Sequence, residues 1–332
     1  MTDKIKLKII IKHKQQSSLI QRTLIPTVNI SFPKPILKWV GGKSQILDKL
    51  ISFFPKEIDN YHEIFLGGGS VLLAVLSLVK SGLITITGSI YAYDINKPLI
   101  AIYHNIQKNH EELYSCLKKY IQEYNSIDPK LTGVNRTPST VNDAVSSRES
   151  YYYWIRSKYN ALSGIEKISV LGSSLFIFLN KTGFRGLFRV GPNGFNVPYG
   201  NYVNPQIIDQ EHLDTIHELI QNVVFISQDF SNSLVNIGKN DFVYLDPPYV
   251  PVNPKSFVKY TDNGFSFEDH CKLFNILNNF NGCFMLSNAD VELVRNNFDA
   301  NKFMIDSLTC KRTINSKNPS AKTQELLIRN YV

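Results

Sequence analysis

The sequence predicts an α/β fold, a mostly parallel sheet covered by helices on both faces and interrupted by an inserted module. Three observations carry this reading. Strand-like apolar runs alternate with helical patterns from residue 61 to the C-terminus. A glycine cluster, Gly67–Gly69, joins the first strand to the first helix. Residues 151–202 then change composition, becoming dense in aromatics, glycine, Arg and Lys. With 332 residues, 43% hydrophobic and 19% charged, the chain is large enough for a substantial core and unlike a disordered chain.

The elements follow in order. Tyr61–Phe65 reads as a strand, Ser70–Lys80 as a helix, Ser89–Tyr93 as a second strand and Pro98–Tyr124 as a long helix. Residues 126–149, rich in Ser, Thr, Asn and Pro, read as a flexible loop. After the insert come a helix at Asp209–Asn222, strands at Val223–Ile226 and Phe242–Leu245, and a helix at Phe267–Phe280. A strand at Gly282–Leu286, a helix at Val291–Phe298 and strands near Phe303–Leu308 and Glu325–Arg329 complete the pattern. Lys4–Lys14 alternates Lys with Ile or Leu, which suits either an edge strand or a basic arm.

Composition narrows the function classes. No apolar run reaches the roughly 20 residues of a membrane span, and Ile9–Ile11 is too short for a signal-peptide core, so a cytoplasmic protein without membrane attachment is expected. Cys116, Cys271, Cys283 and Cys310 form no C-x-x-C pair and the histidines no ligand spacing, so reduced, mostly buried thiols and no metal are expected. The net charge of +8 is clustered: residues 1–22 and 151–200 each hold six basic and one acidic residue, and residues 302–329 six and two. A polyanionic partner suits that distribution.

Two motifs carry chemistry. In the first, Tyr61–Ser70 runs strand, glycine turn, helix, and Asp94 follows 25 residues after Gly69 at the end of the next strand. Glycines admit close backbone approach, and the acidic residue suits ribose hydroxyls, which points to a nucleotide-like cofactor. The dinucleotide fingerprint fails, because Leu72 stands where its third glycine belongs. Gly41-Gly42-Lys43-Ser44 likewise lacks the leading glycine of a phosphate loop, since position 37 is Leu. The second motif is an apolar strand, Val243–Leu245, ending in Asp246-Pro247-Pro248-Tyr249. The prolines stop the strand and remove donors, leaving the Asp246 carboxylate and the Pro247 carbonyl as acceptors for an amino group at the sheet's carboxyl edge.

Together with Leu37–Lys43, Tyr93–Asn96, Asn180–Arg189 and Phe195–Gly200, these segments resemble the DNA adenine-N6 methyltransferases of the Dam family, over nearly everything from Pro35 to Tyr331. The resemblance implies a Rossmann-like S-adenosylmethionine-dependent methyltransferase sheet with an inserted target-recognition domain. It divides the chain into a basic extension (1–33), a discontinuous catalytic core (34–100 and 203–332) and a recognition insert (101–202). It implies that Trp39, Lys43, Phe65, Gly67, Gly69, Asp94, Asp229 and Asp246 line the S-adenosylmethionine site. Asp246, Pro247, Pro248 and Tyr249 would hold an adenine flipped from double-stranded DNA. Phe184 would wedge into the base stack, Arg189 would read a guanine, and Arg185, Leu187 and Pro198 would contact neighbouring bases. Phe184 and Arg185 depart from the tyrosine and asparagine common there. Lys311, Arg312 and Lys317 are candidate phosphate contacts. GATC is the family's commonest target, and a monomer is expected, with or without a cognate restriction endonuclease. Cytosine-N4 or protein-amide methylation, a nicotinamide oxidoreductase and an inactive DNA-binding regulator are the alternatives.

Overall fold

The computed structural model describes residues 31–251, 264–311 and 322–332. The Lys4–Lys14 segment, Arg312, Lys317 and the side chain of Lys311 lie outside the described residues.

In chain order the first half carries α1 (Leu47–Ile51), β1 (Glu57–Ile58), β2 (Tyr61–Ile64), α2 (Ser70–Lys80), β3 (Thr85–Ile86), β4 (Ile90–Asp94) and α3 (Lys97–Ser126). The insert adds α4 (Val141–Ala144), α5 (Arg148–Ala161), α6 (Val170–Thr182), β5 (Val190–Gly191) and β6 (Gly194–Phe195). The chain then continues through α7 (Gln210–Leu219), β7 (Val223–Ser227), α8 (Phe230–Ser233), β8 (Phe242–Leu245) and α9 (Phe267–Asn278). It ends with β9 (Cys283–Ala289), α10 (Glu292–Asn297), β10 (Met304–Lys311) and β11 (Lys322–Arg329).

Seven strands form the central sheet in the order β10-β11-β9-β8-β2-β4-β7. The five from β9 to β7 are parallel, and β11 lies antiparallel between β9 and β10. Alternation along each strand feeds two cores. On β8, Phe242 and Tyr244 join one apolar cluster while Val243 and Leu245 join the other, so both faces are covered as parallel strands require. The chain lays β4 and β7 to one side of β2 and β8 to the other. That reversal opens a crevice at the carboxyl ends of β2 and β8, and the pairing of Ile64 with Leu245 sets Phe65 beside Asp246 there.

Residues 126–149 differ from the expected loop. Thr140 and Asp143 close a reciprocal capping box on α4, and the Asn135 N–H donates to the buried Ser150 hydroxyl at 2.8 Å. The described cysteines, Cys116, Cys271 and Cys283, are half-buried rather than buried. Helix α3 runs unbroken through residue 100, bending at Asn109 where φ is −138°. One apolar cluster extends from the sheet into Tyr151, Phe176 and Phe178 of the insert.

Beneath the crevice, the buried Glu63 accepts from the Tyr61 hydroxyl at 2.8 Å and from the Leu72 N–H. Gly69, the N-cap of α2, has no side chain to serve the helix's free N–H groups, so Glu63 caps it from below. Burial pushes the Glu63 carboxyl from 4.5 up to about 8. Its folded-state value being raised, the protonated form stabilises the fold at low pH, and that contribution disappears as pH rises through about 8. Glu63→Gln should therefore gain in melting temperature over wild type as pH is raised from 5 to 8.5. Melting curves that stay parallel across that range would contradict the assignment.

Candidate active site

The crevice is built from the carboxyl ends of four adjacent strands. After β2 the backbone turns sharply, with left-handed φ at Phe65 (70°), Gly67 (51°) and Gly69 (69°). The Phe65 ring stacks on Phe230 at 5.7 Å and meets Phe265 edge-on at 5.5 Å. A side chain at Gly67 would come within 2.8 Å of the Trp39 ring, and one at Gly68 within 3.0 Å of its Cβ. Trp39 therefore lies across the turn, and stacks in addition on Phe188 of the insert at 5.8 Å.

Two donors of this turn, at Gly67 and Gly69, are already engaged. The Gly67 N–H donates to Asp94 Oδ2 at 3.0 Å, the Asn96 N–H to Asp94 Oδ1 at 2.9 Å, and the Gly69 N–H to the Leu66 carbonyl at 2.9 Å. Burial raises the Asp94 carboxyl, against these two bonds. At the end of β7, Asp229 Oδ1 accepts from the N–H and hydroxyl of Ser231 at 2.9 and 2.5 Å. With Asp246 after β8, three carboxylates and a glycine turn line one edge. Such an edge suits a ligand that presents hydrogen-bond donors and positive charge, and it does not form a phosphate cradle.

Lys43 stands on the Asp246–Tyr249 turn. Its ammonium contacts the Asp246 oxygens at 2.6 and 2.7 Å and the Gly41 carbonyl at 2.8 Å, and lies 4.8 Å from the Tyr249 ring centroid. Only its backbone N–H faces α2, donating to Ser70 Oγ at 3.3 Å. The Lys43 side chain, expected along the cofactor, pairs with the Asp246 carboxylate of that same set. Burial raises the Asp246 carboxyl and the Lys43 charge pulls it back. Pro247 is buried and Pro248 exposed, while the Tyr249 hydroxyl donates to Glu325 on β11 at 2.9 Å.

In the insert, the Phe184 N–H donates to the Pro198 carbonyl at 2.8 Å, so these two expected contacts adjoin. Phe184 is 42% exposed. Arg185, in a left-handed conformation (φ 56°), sets its guanidinium 5.2 Å from the Phe184 ring. Leu187 is half-buried against the core. Exposed Arg189 is braced by Asn196, to Oδ1 at 2.6 Å and the carbonyl at 3.1 Å.

Residues given no role by the sequence brace the site. Fully buried Asn180 accepts from the Lys38 N–H and donates to the Lys38 and Gly186 carbonyls, each at 2.8–3.0 Å. It thereby ties the segment carrying Trp39 and Lys43 to the Phe184–Gly186 turn. Asn196, Glu63 and Glu325 are the others; Asn180, Asn196 and Glu63 fall within the motif segments singled out in the sequence, and Glu325 does not. Among the described residues, no helix is long and apolar enough to cross a membrane, and no group of three or more His, Cys, Asp or Glu is placed to hold a metal.

Residues 39–314 match the family described as D12 class N6 adenine-specific DNA methyltransferase. The chain is similar to the type II methyltransferase M.MjaIII of Methanocaldococcus jannaschii, at 34% identity over 90% of this chain and 99% of that protein. It resembles M1.LlaDCHI of Lactococcus lactis at 31% (90% and 95% covered) and the DNA adenine methylase of Escherichia coli at 27% (90% and 95%). With the strand-end crevice, the Asp-Pro-Pro-Tyr turn and an alignment spanning both, the chain belongs to the D12 class of N6 adenine-specific DNA methyltransferases.

Proposed function

We propose that the protein transfers a methyl group from S-adenosylmethionine to N6 of an adenine flipped out of double-stranded DNA. The observation that carries this reading is the acidic crevice of Asp94, Asp229 and Asp246, where the Gly67 and Gly69 N–H groups already donate to protein oxygens. S-adenosylmethionine is cationic and carries no phosphate, so this set of carboxylate acceptors fits it and disfavours a pyrophosphate-bearing dinucleotide. Neighbouring strands lie about 4.8 Å apart, so Asp246, the glycine turn, Asp94 and Asp229 spread over roughly 14 Å. Asp94 would hold ribose hydroxyls, Asp229 the cofactor's adenine amino group, and Trp39, Phe65, Gly67 and Gly69 the body between. When bound, the cofactor supplies an electrophilic methyl group.

The chain's own residues prepare the nucleophile. The lone pair of the adenine amino group is delocalised into the ring, and acceptance of its two N–H protons by Asp246 and the Pro247 carbonyl directs it outward. Tyr249 stacks on the extruded base, with Pro248 closing the turn. Lys43 keeps Asp246 ionised despite its burial, and yields carboxylate oxygen to the arriving amino group. The core (34–100 and 203–332) performs this chemistry while the insert (101–202) reads DNA, with Phe184 as wedge, Arg189 on a guanine and Arg185, Leu187 and Pro198 beside it. Arginine's planar fork matches guanine O6 and N7. GATC is the first target to try, by a monomer acting in the cytoplasm. The type II names of two relatives favour a cognate restriction endonuclease.

Three outcomes test this reading. Hydrogen bonds to a charged acceptor contribute about 1.5–3 kcal/mol, so Asp246→Ala should lose about ten- to a hundredfold in methylation rate while cofactor binding persists; near wild-type turnover would remove the assignment. Asp246 must be ionised to accept, and Lys43 lowers its pKa, so Lys43→Met should move the acid limb of kcat to higher pH. An unmoved or downward-shifted limb contradicts that role. Arg189→Ala should cost about 1–3 kcal/mol of discrimination and relax one guanine position in a methylation-sequence profile, which an unchanged profile would refute.

A further inference from the structure

Tyr249 is held from three sides. Its hydroxyl donates to Glu325 Oε2 at 2.9 Å, the Lys43 ammonium lies 4.8 Å from its ring centroid, and the next residue is anchored through Asn288. Fully buried Asn288 accepts from the Val250 N–H at 3.1 Å and from the Ala289 N–H at 2.8 Å. Glu325 and Asn288 belong to one structural unit, because Glu325 on β11 pairs with Ala289 on β9. The antiparallel strand at the far end of the sequence thus reaches into the crevice formed by the parallel strands. Burial and the charges of Asp246 and Glu325 raise the Tyr249 phenol well above its ordinary value, so it remains a donor.

A tyrosine ring on a turn after two prolines has rotational freedom about χ1 and χ2. Stacking on an extruded base requires one ring orientation, and a ring fixed beforehand does not lose that freedom when the base arrives. We infer that Glu325 is a positioning residue, which orients the Tyr249 ring for the target base through the phenol hydrogen bond. The inference rests on Tyr249 being the base-stacking residue. Glu325 itself does not touch the base in this arrangement. Its carboxylate acts through Tyr249, with β11 supplying the rigid support.

The test is a double-mutant cycle with DNA carrying 2-aminopurine at the target position, since extrusion of that base changes its fluorescence. Glu325→Ala removes the phenol's bond to Glu325, and Tyr249→Phe removes that bond together with the phenol's hydrogen bond to Asp246, so Glu325→Ala should lower kcat about tenfold, Tyr249→Phe at least as much, and the double variant no more than Tyr249→Phe alone. Both singles should alter the 2-aminopurine emission of the bound complex in the same way. Glu325→Gln keeps an acceptor and should stay within about threefold of wild type. Additive losses in the double variant, or Glu325→Ala matching wild type in kcat and emission, would overturn the inference. If Glu325→Ala fails to fold, Tyr249→Phe and Glu325→Gln decide it: a loss in the first with rescue in the second supports positioning, and equal losses refute it. Absence of any fluorescence change with wild-type protein would instead strike the base-flipping reading on which the inference stands.

Discussion

Parallel pairing of β2 with β8 is the constraint on which the rest of the molecule depends. Because the chain places β4 and β7 on one side of β2 and returns β8 to the other, the connections leaving β2 and β8 diverge, and the space between them stays open. The Ile64–Leu245 register then fixes which residues face each other across it, Phe65 and the glycine turn on one side and Asp246 on the other. A slip of one residue would turn Leu245 and Val243 out of their core and move Asp246 off the crevice. The two apolar cores covering the sheet therefore secure the site's geometry as well as its stability.

Charge gives that geometry its chemical character. Glycine turns before helices often receive phosphate, yet here Asp94 engages the Gly67 N–H and Glu63 caps α2 from beneath. Asp94, Asp229 and Asp246 make the edge attractive to a cation. Asp246 is held within this acidic surrounding by Lys43, whose charge offsets the desolvation of the carboxylate. The fold places a hydrogen-bond acceptor in a crevice that shields it from water, and favours its ionised form with a cationic partner from the segment preceding the sheet.

Much of this was legible in the sequence, and the omissions have physical causes. Strands β2, β4, β7, β8 and β9 and helices α2, α3 and α9 appear within a few residues of their expected bounds, because long apolar periodicity survives tertiary packing. The insert's helices α5 and α6 were not, since aromatic and apolar residues on several faces erase the polar stripe that marks a helix. Thr140-Val141-Asn142-Asp143 carried a capping pattern inside a stretch whose polarity reads as loop. Motif spacing located Asp94, Asp246 and Tyr249, but Lys43's pairing with Asp246 spans 203 positions and Tyr249's bond to Glu325 spans 76. Contacts so distant leave no local trace, and neither does the bracing of Lys38 and Gly186 by Asn180.

Delivery of a methyl group by this crevice to an adenine amino nitrogen in DNA is tested most directly by mass spectrometry of nucleosides from mixed-sequence duplex DNA after incubation with the protein and S-adenosylmethionine bearing a deuterated methyl group. The proposed transfer puts the labelled mass on N6-methyladenine alone. Label on cytosine, or DNA without label in the presence of folded, cofactor-binding protein, would contradict it.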